Sequence, residues 1–146
     1  MSSNSSALTK VLKNLLVLTS GRAVQSAVRA AHAGGRSVVL VPTMGALHAG
    51  HQALIREGRK RSSEVWVSIF VNPTQFALTE DLSSYPRDME RDLALLRAEG
   101  VAAVFTPDPD EMYLPGADTI VDVPSLSGVL QGAVRPSHFQ GVATVV

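Results

Sequence analysis

The sequence predicts an α/β fold, a parallel sheet with flanking helices, on three observations. Apolar runs of strand length, Ser37–Val41, Val65–Val71 and Val101–Phe105, alternate with stretches of helical periodicity. Glycines at Gly34-Gly35 and Gly100 punctuate the ends of those helices. A composition of 45% hydrophobic and 18% charged residues suits a packed core, and 146 residues is one domain's worth of chain.

Met1–Ser6 is polar and unpatterned, so residues 1–14 are expected to be a disordered or appended terminus. Leu15–Leu18 reads as an edge strand or an anchoring segment. Ser20 suits an N-cap for a helix carrying Val24, Val28 and Ala31 on one face. Ser37–Val41 is β-branched, continuous and bounded by glycine and proline, the pattern of a buried strand. Gln52–Arg61 is helix-compatible, and Arg56, Arg59, Lys60 and Arg61 complement the negative end of its dipole. Val65–Val71 reads as a second buried strand, and the polar loop from Asn72 to Tyr85 is long enough to be functional. Pro86 suits the first turn of a helix whose Met89, Leu93 and Leu96 share a face. Val101–Phe105 is a third strand, Thr119–Val123 a candidate fourth, and Ser125–Gln131 a short helix. The sequence stops inside an apolar run, Gly141–Val146.

Composition removes several classes of chemistry. Without cysteine there is no disulfide framework, zinc-thiolate site or thiol nucleophile. No apolar run approaches membrane-spanning length, and the terminus lacks the order of a signal peptide. A cytoplasmic protein with no membrane partner is expected. Residues 1–61 carry a balance of +8 and residues 62–146 a balance of −8. The basic half is explained by the end of a helix and by charge offset within one fold, so no nucleic-acid partner is expected.

The stretch from Pro42 to His51 reads Pro-Thr-Met-Gly-Ala-Leu-His-Ala-Gly-His. A strand feeding a glycine-bearing turn and then a helix aims backbone amides at a phosphate. His48 and His51 would stand about one turn apart at the positive end of that helix. There they would hydrogen-bond a polyphosphate, as neutral donors or as cations. A metal would need a third ligand, such as the glutamate of HExxH, and none is placed here. Gly45 and Gly50 have Walker A spacing, but His51-Gln52 stands where Lys-Ser/Thr belongs, which rejects a P-loop. A purely structural strand–turn–helix also fits the spacing alone. In an open α/β sheet the segments Pro42–His51, Asn72–Phe76 and Thr106–Pro115 would gather at the carboxyl edge, where ligands bind.

Further stretches extend the pattern: Phe70–Phe76 (FVNPTQF), Glu80–Leu82 with Tyr85–Asp88, Met112-Tyr113, and Arg135–Val142 (RPSHFQGV). Together and in this order they resemble the pantoate–β-alanine ligases. That family lies within the Rossmann-like nucleotidyltransferases that carry a HIGH-type signature. The likeness runs from about Leu15 to Val146, which would make residues 15–146 a partial nucleotide-binding domain.

The resemblance implies ATP and Mg²⁺, with ATP adenylating pantoate, pyrophosphate leaving, and β-alanine displacing AMP to give pantothenate. It implies a homodimer. Met44, Gly45, Ala46, Leu47, His48, Ala49, Gly50 and His51 would line the ATP site. His48 and His51 would act on the phosphates, with His51 the assigned proton donor; charge stabilisation of the leaving pyrophosphate is the role favoured for both on physical grounds. Gln75, Asn72, Pro42 and Met44 would hold pantoate and β-alanine, and the Glu80–Arg87 loop would cover the site. His138 either approaches the phosphates or caps the final helix. Two departures are mild: Ser137 where glycine is common, and Gln131 where glutamate is usual. The larger one is length, because the family's lysine-bearing ATP segment and second pantoate glutamine lie beyond residue 146. The chain alone is therefore expected to turn over little substrate and to expose apolar surface that self-associates or binds the enzyme's C-terminal remainder. The competing readings are another HIGH-type nucleotidyltransferase and a non-catalytic nucleotide-binding or assembly fragment.

Overall fold

The computed structural model describes residues 10–12, 14–76 and 82–146. They fall into two compact units, one formed by residues 1–70 with 87–108 and the other by residues 71–86 with 109–146.

The first unit holds a five-stranded sheet: β1 (Lys10–Leu12), β2 (Leu15–Leu18), β3 (Val38–Thr43), β4 (Glu64–Ile69) and β5 (Ala103–Phe105), in the order β1-β2-β5-β4-β3. Four strands are parallel and β1 joins β2 antiparallel, with Lys10 opposite Val17 and Leu12 opposite Leu15. That pairing gives structure to part of the terminus that carried no pattern for it. It also moves Leu15–Leu18 inward from the edge, and both Leu15 and Leu18 are buried.

Alternation along the strands builds two cores. Leu15, Val41, Val65, Val67, Ile69 and Val104 face one side, where they meet Leu47, Ile55 and Leu96. Leu18, Trp66 and Ala103 face the other and pack against Ala23, Val24, Ala27 and Val28. Helix α1 (Gly21–Ala33) covers this second face; Ser20 caps it by accepting the Ala23 N–H at 3.2 Å, and Gly34 terminates it. Helices α2 (Ala49–Arg61) and α3 (Met89–Ala98) contribute Ile55 and Leu96 to the first face. Truncating either side chain to alanine costs roughly 2–5 kcal/mol. Gly58 lets α2 approach closely, since a Cβ there would stand 3.0 Å from Val65 and 3.1 Å from Val39.

Two expectations for this unit are corrected. The Ser37–Val41 strand lies at one edge of the sheet, and Leu40 is 55% exposed. Pro42 lies within β3, and a residue without an N–H is tolerated in a strand that has one unpaired side. Helix α3 begins three residues after Pro86, because Asp88 caps it by accepting the Arg91 N–H at 3.0 Å. A carboxylate that satisfies an orphan donor outcompetes a proline's preset φ for the helix start.

The second unit is built from short elements: a 3-10 turn at Pro73–Gln75, another at Leu82–Ser84, and helices α4 (Pro109–Met112), α5 (Pro124–Ser127), α6 (Gln131–Val134) and α7 (His138–Val145). Thr119–Val123 forms no strand. The Val121 N–H donates to Thr144 Oγ1 at 3.0 Å and its carbonyl accepts from the same hydroxyl at 3.2 Å, tying the extended segment to the side of α7. The helix expected over Ser125–Gln131 is interrupted after Ser127, with Gly128 at the break and Leu130 at φ 53°. Among the described residues no helix is long and apolar enough to cross a membrane.

Candidate functional site

In the first unit, Thr43, Ile69 and Phe105 end three parallel strands at one edge of the sheet. From Thr43 the chain makes a tight turn in which Gly45 (φ 86°) and Ala46 (φ 52°) are both left-handed. Thr43 anchors its start: the hydroxyl donates to the Ser68 carbonyl at 2.7 Å and accepts the Gly45 N–H at 3.2 Å. Leu47 then drops into the core, and His48 caps α2.

The cap is made by the two histidines. His48 Nδ1 accepts the Gly50 N–H at 3.1 Å, and His51 Nδ1 accepts the His48 N–H at 3.3 Å. Their ring centroids are 4.2 Å apart. A nitrogen that accepts a backbone N–H carries no proton, so each neutral ring keeps its proton on Nε2. The pair therefore offers two adjacent N–H donors. Burial, followed by the neighbouring His48, lowers the His51 pKa below the ordinary 6.5, while Asp92 acts in the opposite direction. Gly50 makes room for this arrangement, since a Cβ there would lie 2.9 Å from His48 Cε1.

Asp92, which the sequence reading did not single out, completes the turn. It lies in the first turn of α3, is 2% exposed, and accepts the Ala46 N–H at 2.9 Å and the Leu47 N–H at 2.8 Å. The N–H groups of Gly45, Ala46, Leu47, His48 and Gly50 go to acceptors within the unit, so for these five amides the acceptor is internal rather than a phosphate. Leu47, expected along the ATP site, is fully buried and its side chain belongs to the core. Of the other stretch members, Pro42 and Ala49 are exposed and Met44 is half-buried.

In the second unit, Asn72 is 1% exposed and is the centre of a polar cluster. Its Oδ1 accepts from Thr74 N–H, Thr74 Oγ1 and Tyr113 OH, the last at 2.7 Å. Its Nδ2 donates to Gln75 Oε1 at 3.1 Å and to the Gly141 carbonyl at 3.0 Å. That exhausts the amide's capacity. Gln75, 7% exposed, has its oxygen occupied, which leaves its NH₂ as the group to offer a ligand; it makes no hydrogen bond among the described residues. His138, at the start of α7, donates from Nδ1 to the Gln75 carbonyl at 3.0 Å. It thus secures the Gln75 turn and does not cap the helix with its side chain. Gly141 permits α7 to lie on that turn, because a Cβ would come within 2.6 Å of the Thr74 carbonyl oxygen.

Glu80 and Asp81 of the expected covering loop lie outside the described residues. Among the described residues no three His, Cys, Asp or Glu side chains are grouped to hold a metal ion.

Comparison with known proteins agrees with the motif order. A pantothenate synthetase of Solidesulfovibrio magneticus is 59% identical over 112 residues, which is 77% of this chain and 39% of that protein. One from Roseiflexus castenholzii is 58% identical over 120 residues, 82% of this chain and 42% of the relative. The crystal structure of pantothenate synthetase from Thermus thermophilus matches with a TM-score of 0.79 at 44% identity, covering 88% of this chain and 45% of that one. The pantoate–β-alanine ligase from Francisella tularensis, complexed with beta-gamma ATP and β-alanine, matches with a TM-score of 0.80 at 34% identity, covering 88% and 49%. The chain spans less than half the length of each of these relatives. The family model for pantoate–β-alanine ligase matches residues 16–146, and the chain belongs to that family.

Proposed function

We propose that this chain is part of an ATP-dependent pantoate–β-alanine ligase, supplying one wall of its site and turning over little substrate alone. A pantoate carboxylate oxygen attacks the α-phosphorus of ATP, and the bond to the β-phosphate oxygen breaks, releasing pyrophosphate. The amine of β-alanine then attacks the acyl carbon of the pantoyl adenylate, loses a proton, and expels AMP. Such chemistry needs positioning and charge stabilisation rather than a side-chain nucleophile. In this reading Met44–His51 form the nucleotide side, and Mg²⁺ arrives on the ATP phosphates with much of its water. Gln75 supplies an amide donor to the pantoate carboxylate or hydroxyl, and Asn72 acts by holding Gln75. The working assembly is a cytoplasmic homodimer.

The observation that carries the reading is the pair of imidazoles whose Nδ1 atoms accept backbone amides. Two fixed Nε2–H donors suit the oxygens of a departing pyrophosphate. The lowered pKa of His51 favours a neutral donor at pH 7 over an obligate acid, so charge stabilisation is the role proposed for it. Calorimetric titration of the chain with ATP, pyrophosphate and pantoate tests this. Replacing both histidines by alanine is expected to weaken ATP binding by about 1–3 kcal/mol, the scale of charge-assisted hydrogen bonds. Gln75→Ala is expected to impair pantoate binding while sparing ATP. Equal ATP affinity in the double histidine variant would defeat the proposal.

A further inference from the structure

We propose that Asp92 is a positioning residue for the histidine turn, holding the backbone conformation that presents both imidazoles to an anion. The inference rests on the anion-site reading above and adds a residue that no motif identifies. Two consecutive left-handed residues, Gly45 and Ala46, create a concavity of N–H groups that would ordinarily bind an anion. Here the anion is internal: one Asp92 oxygen takes the Ala46 N–H and the other takes the Leu47 N–H. Ala46 is not glycine, so its φ of 52° is strained and needs an external hold. Gly45 is fitted to the same carboxylate, since a Cβ there would lie 3.1 Å from Asp92 Oδ2 and 3.2 Å from Ile69.

Burying a carboxylate against neutral amides is costly, and a hydrophobic residue would serve packing alone at least as well. What the carboxylate adds is direction. It fixes the two peptide units that lead into His48, whose own N–H must meet His51 Nδ1 for the cap to close. The groups acting on His51 are its burial, His48 and Asp92. If the hold is lost, the cap opens, the Nδ1 acceptors lose their partners, and the ring protons redistribute between the two nitrogens.

The test compares the chain with Asp92→Asn, which keeps the side-chain shape but sets an NH₂ against one backbone N–H. Imidazole ¹⁵N shifts report the tautomers, and calorimetry reports pyrophosphate affinity. In the parent, both His48 and His51 are expected as Nε2–H tautomers. In Asp92→Asn, a mixture at His51 and a roughly tenfold rise in the pyrophosphate Kd are expected. Val28→Ala, on α1 at the opposite face of the sheet, serves as a stability control and should change neither. A second measurement needs no variant. Because coupling is reciprocal, saturating pyrophosphate should slow hydrogen exchange at the Ala46 and Leu47 amides. Unmixed tautomers and near-parental affinity in Asp92→Asn would overturn the proposal, as would unaltered exchange at those amides in ligand-saturated protein. If the parent does not bind pyrophosphate, the anion-site reading fails, and the free-state tautomers still decide whether Asp92 holds the turn.

Discussion

Asp92 and Glu99 stand seven residues apart on α3 and its C-cap, about two helical turns, and both carboxylates are engaged with the histidine turn and the helix that follows it. Glu99 accepts from Arg56 Nη2 at 2.6 Å, Arg56 Nε at 3.0 Å and Gln52 Nε2 at 2.9 Å, while its carbonyl accepts from Arg59. The hydrogen bonds from Arg56 hold the Glu99 carboxyl below its ordinary 4.5. A carboxyl with a depressed folded-state pKa adds stability above its unfolded value and loses it as pH falls through the folded one. Glu99→Gln is therefore expected to lower the melting temperature at neutral pH and to flatten its decline between about pH 5 and pH 3. Melts across that range check the slope.

His51 supplies the second pH dependence, with the same sign for a different reason. Its folded-state pKa lies below 6.5, so the folded form binds fewer protons than the unfolded chain in the window beneath that value. The contribution of its neutral form is complete above 6.5 and is lost as pH falls from there through the folded pKa. A titration of the His51 Hε1 resonance is expected to give a midpoint below the ordinary 6.5. Adding pyrophosphate should raise it, because an anion favours the charged ring.

Gly50→Ala separates stability from ligand binding. Alanine in a helix is favoured over glycine by roughly 0.8–1.0 kcal/mol. The new Cβ would sit 2.9 Å from His48 Cε1, and a side chain in that position can swing aside. Losing the His48 cap costs about as much as that gain, so the variant is expected to melt close to the parent temperature and to bind ATP several-fold more weakly. Paired melting and calorimetry would show affinity falling with little change in stability.

At Gly141 the same substitution has no such escape. The Cβ would meet backbone atoms, at 2.6 Å from Thr74 O and 2.7 Å from Gln75 N. Overpacking of this kind typically costs about 1–3 kcal/mol. It would also disturb the carbonyl that accepts from Asn72. Faster hydrogen exchange at Thr74–Phe76, with the β4 amides unchanged, is the expected signature.

The parts of this chain that are legible in sequence are those whose cause is local. Ser20 caps because a hydroxyl stands three residues before an orphan amide, and Val65, Trp66 and Val67 declare two faces through alternation alone. The histidine pair is legible as a motif. Its protonation is not, because that depends on which backbone amides the rings receive. Asp92 is hidden for a similar reason: it lies 45 residues from Leu47, and in sequence it resembles any acid favouring the start of a helix. The exposed edge of β3 follows from strand order, a property of the whole sheet, although Pro42 carried a hint of it. Thr119–Val123 has strand composition, but its Val121 pairs with the hydroxyl of Thr144 instead of a neighbouring strand.

The histidine cap also discriminates by charge sign. A cation bound at Nε2 of either imidazole would require the ring's proton to move to Nδ1. There it would confront an amide hydrogen, from Gly50 at His48 or from His48 at His51. Binding a metal would thus mean unbuttoning the first turn of α2, whereas an oxyanion meets the two hydrogens already in place. On the proposed anion-site reading, the polypeptide backbone, rather than a third side chain, is what suits this histidine pair to negative charge and sets it against chelation.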